Sequence, residues 1–160
     1  GKKSFIDKLQ MVFDEGLYDP ANEPDIAYPY LFSYFKGEEW RTQKETQRLL
    51  DKYFTTKPDG IPGNDDTGTM SSWAIFNMIG FYPDCPGLPE YTLTTPVFNK
   101  VTIRLDPKWY KENELVIESN RTGSETLYIN KVLLDGKKFN KYRITHDELV
   151  HGKRLIFDLK

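Results

Sequence analysis

Apolar positions in the first half of the chain recur at helical spacing. Phe5, Leu9, Met11, Val12 and Phe13 form one stripe, and Gly16 stops it. Tyr30, Leu31, Tyr34 and Phe35 form a second, with Pro29 near its start and Gly37 at its end. The pattern predicts a third helix from Trp40 to Phe54. Its Leu49, Leu50, Tyr53 and Phe54 would face a core, and its Arg41, Lys44, Glu45 and Arg48 would face water. A fourth helix is expected from about Thr69 to Ile79, carrying Met70, Trp73, Ala74, Phe76 and Ile79, with Gly80 as its C-cap. The texture then changes. Pro83, Pro86, Gly87 and Pro89 crowd one short segment, which divides the chain into a helical part (1–82) and a β-rich part (83–160). Beyond it, apolar and polar residues alternate. Thr92–Thr94, Val101–Leu105, Glu114–Glu118, Thr126–Ile129 and Leu155–Phe157 read as strands. Asp135-Gly136 offers a hairpin turn, and Thr145–Leu149 a helical turn between strands. The expected class is α+β, with short strands spaced as in an antiparallel sandwich.

Composition narrows the function. The chain has 160 residues, 38% of them hydrophobic and 29% charged, enough for a real core. The net charge is -2 with scattered basic residues, so no cationic stripe points to nucleic acid. No apolar run approaches the roughly 20 residues of a membrane span. The first residue is Gly1, with no initiator methionine, and the reading is an excised part of a longer chain. The single cysteine, Cys85, cannot close an internal disulfide and reads as a part-buried small residue in a turn.

Two polar loops carry the candidate chemistry. In the first, Gly60, Pro62, Gly63 and Gly68 make a tightly turned segment that delivers two adjacent carboxylates, Asp65 and Asp66, to the start of the fourth helix. A helix N-terminus favours negative charge, and a carboxylate there can act as a general base or a metal ligand. The bland alternative is that one Asp caps the helix and the other is solvated. In the second loop, Asn22 and Glu23 sit between Pro20 and Pro24, which restrict the backbone. Such oxygen ligands suit a hard cation such as calcium, and capping is again the alternative. Trp73, Trp40, Tyr28 and Tyr30 could stack on sugar rings, although aromatics at helical spacing commonly form core. His146 and His151 have no metal-spaced partner and read as structural or surface residues.

Several segments, in order, resemble glycoside hydrolase family 92. Asn22-Glu23-Pro24-Asp25-Ile26, followed by Pro29-Tyr30-Leu31, is similar to the family's Asn-Glu-Pro segment. Trp40-Arg41-Thr42-Gln43 resembles its Trp-Lys-Thr-Gln helix start. Gly63-Asn64-Asp65-Asp66-Thr67-Gly68-Thr69-Met70-Ser71-Ser72-Trp73 resembles its Gly-Asn-Asp-Asp-x-Gly-x-Met-Ser-x-Trp signature. Gly80-Phe81-Tyr82-Pro83, Cys85-Pro86-Gly87, Pro89-Glu90-Tyr91 and Pro96-Val97-Phe98 continue the likeness.

The resemblance implies the last helices of an (α/α)6-type barrel followed by a β-sandwich-like segment. It implies a bacterial, calcium-dependent, inverting exo-α-mannosidase of α-1,2 type acting on mannose-containing glycans. Asp66 would be the base, with Asp65 its catalytic neighbour. Asn22, Glu23, Asn64 and Trp73 would bind sugar, and Asn22 and Asp66 would hold calcium. The general acid would lie upstream, in the missing N-terminal part, so the fragment alone is expected to be inactive. A secreted, periplasmic or cell-surface location follows by the same route. Two departures stand out: Asn64 occupies a position where some members carry Asp, and Ala27 one where relatives often show His. The competing class is a non-catalytic carbohydrate-binding or structural module.

Overall fold

A computed structural model describes residues 1–123 and 126–160. The chain divides into two compact units, Gly1–Ile75 and Phe76–Lys160.

The first unit holds α1 (Lys2–Asp14), a 3-10 helix (Glu23–Tyr34), α2 (Glu39–Tyr53) and the start of α3 (Thr69–Ile79). In α1, Ile6, Leu9, Gln10 and Phe13 are buried, at the spacing of one helix face, while Phe5 and Met11 are exposed. The second apolar stripe belongs to a 3-10 helix that begins at Glu23, earlier than its apolar residues suggest. Pro24 and Pro29 lack N–H groups, and Pro29 falls inside the helix. Thr42 of α2 ties the two segments by donating its hydroxyl to the Pro29 carbonyl at 2.8 Å.

Glu45 corrects the expected outer face of α2. It is 0% exposed. Its Oε1 accepts from Gln10 Nε2 at 2.9 Å, and Arg48 Nε lies 3.0 Å from its Oε2. Gln10 in turn donates to Asp14 and accepts from Arg41 at 2.8 Å. A buried carboxylate persists only when paired in this way.

The second unit holds the end of α3 and eight strands: β1 (Phe81–Tyr82), β2 (Glu90–Leu93), β3 (Lys100–Arg104), β4 (Glu114–Arg121), β5 (Ile129–Leu134), β6 (Lys137–Phe139), β7 (Arg143–Thr145) and β8 (Arg154–Leu159). A short helix, α4 (His146–His151), joins β7 to β8. The strands form two sheets, ordered β1-β2-β7 and β3-β4-β8-β5-β6. One core serves both, combining Phe81, Leu93 and Ile144 with Leu115, Ile117, Leu155, Phe157 and Leu159. Alternation along β4 and β8 places Leu115 and Ile117, and Leu155 and Phe157, inward. Among the described residues the pairings are antiparallel except β4 with β8, which run parallel. Asp135 and Gly136, both at positive φ, turn β5 into β6 with Leu134 opposite Lys137. The strand expected over 126–129 starts later, at Ile129, although Tyr128 and Lys160 exchange backbone hydrogen bonds at 2.9 Å. Thr145 and Glu148 form a capping box that starts α4.

Candidate functional site

The two polar loops lie in the first unit and touch. A Cβ built on Gly63 would come within 2.7 Å of the Ala21 Cβ, so the backbones meet there with no room for a side chain. Gly63 also has φ +68°, a conformation in which glycine avoids the usual cost. Asn22 and Asn64 each follow this contact by one residue. Asn22, Glu23, Asn64, Asp65 and Asp66 are all exposed.

Each loop is held by its own backbone. Asp19 Oδ1 accepts from Ala21 N at 2.9 Å, and the Asp19 carbonyl accepts from Asn22 N. The Asn22 carbonyl accepts from Asp25 N at 2.9 Å, which starts the 3-10 helix. The other loop is pinched at its base: Thr55 N donates to the Gly60 carbonyl at 2.9 Å, and Gly60 N donates to the Lys57 carbonyl at 3.0 Å. A side chain at Gly60 would collide with the Thr55 carbonyl.

The adjacent carboxylates have different environments. Asp65 Oδ1 accepts from Ser71 N at 2.8 Å, inside the first turn of α3. Its carbonyl accepts from Gly68 N and Met70 N. Asp66 sits at φ +46° and Thr67 at φ +61°, left-handed backbone that L-residues rarely adopt. The Asp66 carbonyl accepts from Thr69 N and from Thr69 Oγ1. Its carboxylate has no hydrogen-bond partner among the described residues.

Trp73 takes a different part from the one expected of it as a sugar platform. It is 1% exposed, and its ring stacks on Phe54 at 5.3 Å between centroids. With Tyr18, Pro20, Ile26, Leu49 and Met70 it forms an apolar floor beneath the loops. Tyr30 is buried as well. Reading the sequence by itself did not single out Ala21, Thr67 or the Ser71 amide. Gly63 was the available signal for a close approach, but its partner is 42 positions away (63 − 21).

Among the described residues, no group of three or more His, Cys, Asp or Glu side chains converges as a metal site. His146 sits between two tyrosines: Tyr91 Oη lies 2.9 Å from its Nδ1 and Tyr110 Oη 3.5 Å from its Nε2. Burial, with the neighbouring Tyr110 adding to it, pushes the Tyr91 hydroxyl up from its ordinary value. No helix among the described residues is long and apolar enough to cross a membrane.

The chain matches the glycosyl hydrolase family 92 catalytic domain over residues 1–160, and it belongs to that family. A family 92 α-mannosidase of Bacteroides thetaiotaomicron superposes with a TM-score of 0.90 at 31% identity, covering 100% of this chain and 22% of that one. A family 92 inverting mannosidase of the same organism matches at 34% identity and a TM-score of 0.79, over 94% of this chain and 20% of that one. A protein of Arthroderma benhamiae named an uncharacterized secreted glycosidase is 28% identical over 155 residues, 97% of this chain and 20% of that protein. The chain thus spans about a fifth of the length of these relatives.

Proposed function

We propose that this chain supplies the base-bearing wall of the active site of an inverting exo-α-mannosidase, with Asp66 as the general base. The division of labour between neighbours carries the reading. Asp65 is committed to the start of α3, whereas the Asp66 carboxylate is exposed and has no hydrogen-bond partner among the described residues. A base needs an oxygen within reach of the water it deprotonates. In an inverting glycosidase that water attacks the anomeric carbon from the face opposite the leaving group. The base takes its proton, while an acid about 6.5–9.5 Å from the base protonates the departing oxygen. The glycosidic C–O bond breaks and mannose leaves with inverted configuration.

The acid is assigned to parts of the complete protein outside these 160 residues, and the chain by itself is proposed to be inactive. Similarity to a solved protein named an inverting mannosidase supports the stereochemical outcome. Glu23 and Asn64, close to the Ala21–Gly63 contact, are proposed to hydrogen-bond the sugar.

Calcium is proposed as the cofactor. The Asn22 amide and Asp66 carboxylate are hard oxygen donors of the kind it takes. It binds about 6–8 oxygens, so these two would be a minority, completed by water, sugar and the rest of the protein. When bound, the ion would hold sugar hydroxyls by charge. The substrate is proposed to be terminal α-mannose, with the α-1,2 linkage the first to test. The relative named as secreted supports a periplasmic, cell-surface or secreted setting.

The experiment is a panel of α-mannobioses offered to the complete protein, with and without a chelator. Turnover that falls on chelation and returns with calcium supports this reading. No turnover of any linkage would leave a carbohydrate-binding or structural role.

A further inference from the structure

We propose that Asp65 is the positioning residue for Asp66: it fixes the left-handed turn that presents the Asp66 carboxylate and takes no proton itself. The inference rests on the reading of Asp66 as the base.

An N-cap side chain ordinarily bonds an N–H two or three residues further on. Asp65 reaches six residues on, with Oδ1 accepting from Ser71 N at 2.8 Å. Its carbonyl accepts from Gly68 N at 3.1 Å and from Met70 N at 3.2 Å. One residue therefore ties its side chain to Ser71 and its main chain to Gly68 and Met70, across the segment 66–71. Inside that clasp lie consecutive positive-φ residues, Asp66 at +46°, Thr67 at +61° and Gly68 at +92°. The first two are not glycine, and such backbone persists only where its surroundings over-determine it. Thr69 adds a second hold, donating both N–H and Oγ1 to the Asp66 carbonyl at 3.2 and 2.7 Å. The main chain of Asp66 is thus gripped while its carboxylate stays exposed, as presentation to a substrate requires.

This assigns opposite chemistry to neighbouring aspartates. A cap works through an acceptor oxygen, and asparagine caps about as well as aspartate. A base works through a proton-accepting carboxylate, which an amide cannot replace.

The test compares kcat and KM on an α-mannobiose for the complete protein and its Asp65→Asn, Asp65→Ala and Asp66→Asn variants, each checked for folding by circular dichroism and melting. Asp65→Asn should keep kcat within about threefold, because the clasp keeps its acceptor. Folded Asp65→Ala should lose kcat by roughly 10- to 100-fold at little-changed KM, the signature of a misplaced group rather than lost binding. Asp66→Asn should lose about 10²- to 10⁴-fold. If Asp65→Ala does not fold, Asp65→Gln replaces it. This variant carries the amide one methylene too far out, and it should show the same kcat loss.

Asp65→Asn as inactive as Asp65→Ala, with Asp66→Asn also inactive, would overturn the positioning role alone. So would wild-type kcat in folded Asp65→Ala or Asp65→Gln. Wild-type turnover by Asp66→Asn would overturn the base reading and this inference with it.

Discussion

Gly63 and Ala21 lie so close that a Cβ on the glycine would sit 2.7 Å from the alanine Cβ. This contact holds the Asn22–Glu23 loop against the Asn64–Asp66 loop. It needs a residue that is both small and tolerant of φ +68°.

Gly63→Ala should therefore cost about 2 kcal/mol, part from left-handed backbone and part from the collision. Adding Ala21→Gly should recover the collision part and leave the backbone part. Urea denaturation of the singles and the double mutant measures the coupling; strict additivity would mean that the contact carries no energy.

Glu45 gives a second prediction. Removing its buried carboxylate leaves Gln10 Nε2 and the Arg48 guanidinium without their shared acceptor. Glu45→Ala should cost on the order of 3 kcal/mol, discounted because Arg48 is partly solvated. Glu45→Gln, which keeps an acceptor, should cost less. A melting temperature unchanged in Glu45→Ala would contradict the buried network.

Trp73 separates packing from binding. Its ring lies on Phe54 under the loops. Trp73→Ala should lower stability by about 3–5 kcal/mol, and Trp73→Phe by much less. Calorimetric titration of mannose into Trp73→Phe should give near-wild-type affinity. A large affinity loss without a stability loss would restore the sugar-platform role.

The β-rich unit carries a pH dependence at α4. Glu148 Oε2 accepts from Thr145 N at 3.0 Å, and that backbone bond holds its carboxyl below the ordinary value of 4.5, helped by Lys141 and opposed by burial. A depressed folded pKa means that the ionised form stabilises the fold above the unfolded value. That contribution disappears as pH falls through the folded value. Glu148→Gln, which keeps an acceptor but loses the charge, should therefore be less stable than wild type at pH 7. The gap should narrow as pH falls from 4.5 through the folded value in denaturant titrations; a gap independent of pH would mean that the carboxylate charge does not stabilise α4.

Much of this fold was legible along the chain because local rules govern it. Leu115 and Ile117, and Leu155 and Phe157, alternate as buried strands do, and Asp135-Gly136 demands its turn. What stayed hidden depends on partners distant in sequence. Periodicity does not say that β4 takes β8 as a parallel neighbour. Glu45 reads as a surface charge until Gln10 and Arg48 are placed beside it. β1 has only two residues and shows no period. In the candidate site, the residue types and the two loops were readable. The separation of Asp65 from Asp66 was not, because the Asp65 cap spans six residues and its effect is felt through the backbone of its neighbour.

The most direct measurement is proton NMR of mannose released from α-1,2-mannobiose by the complete protein, followed for wild type and Asp66→Asn. Wild type should release the β-anomer first, and the variant should turn over at least a hundredfold more slowly. Release of the α-anomer, or a variant as active as wild type, would contradict the proposed inverting mechanism with Asp66 as base.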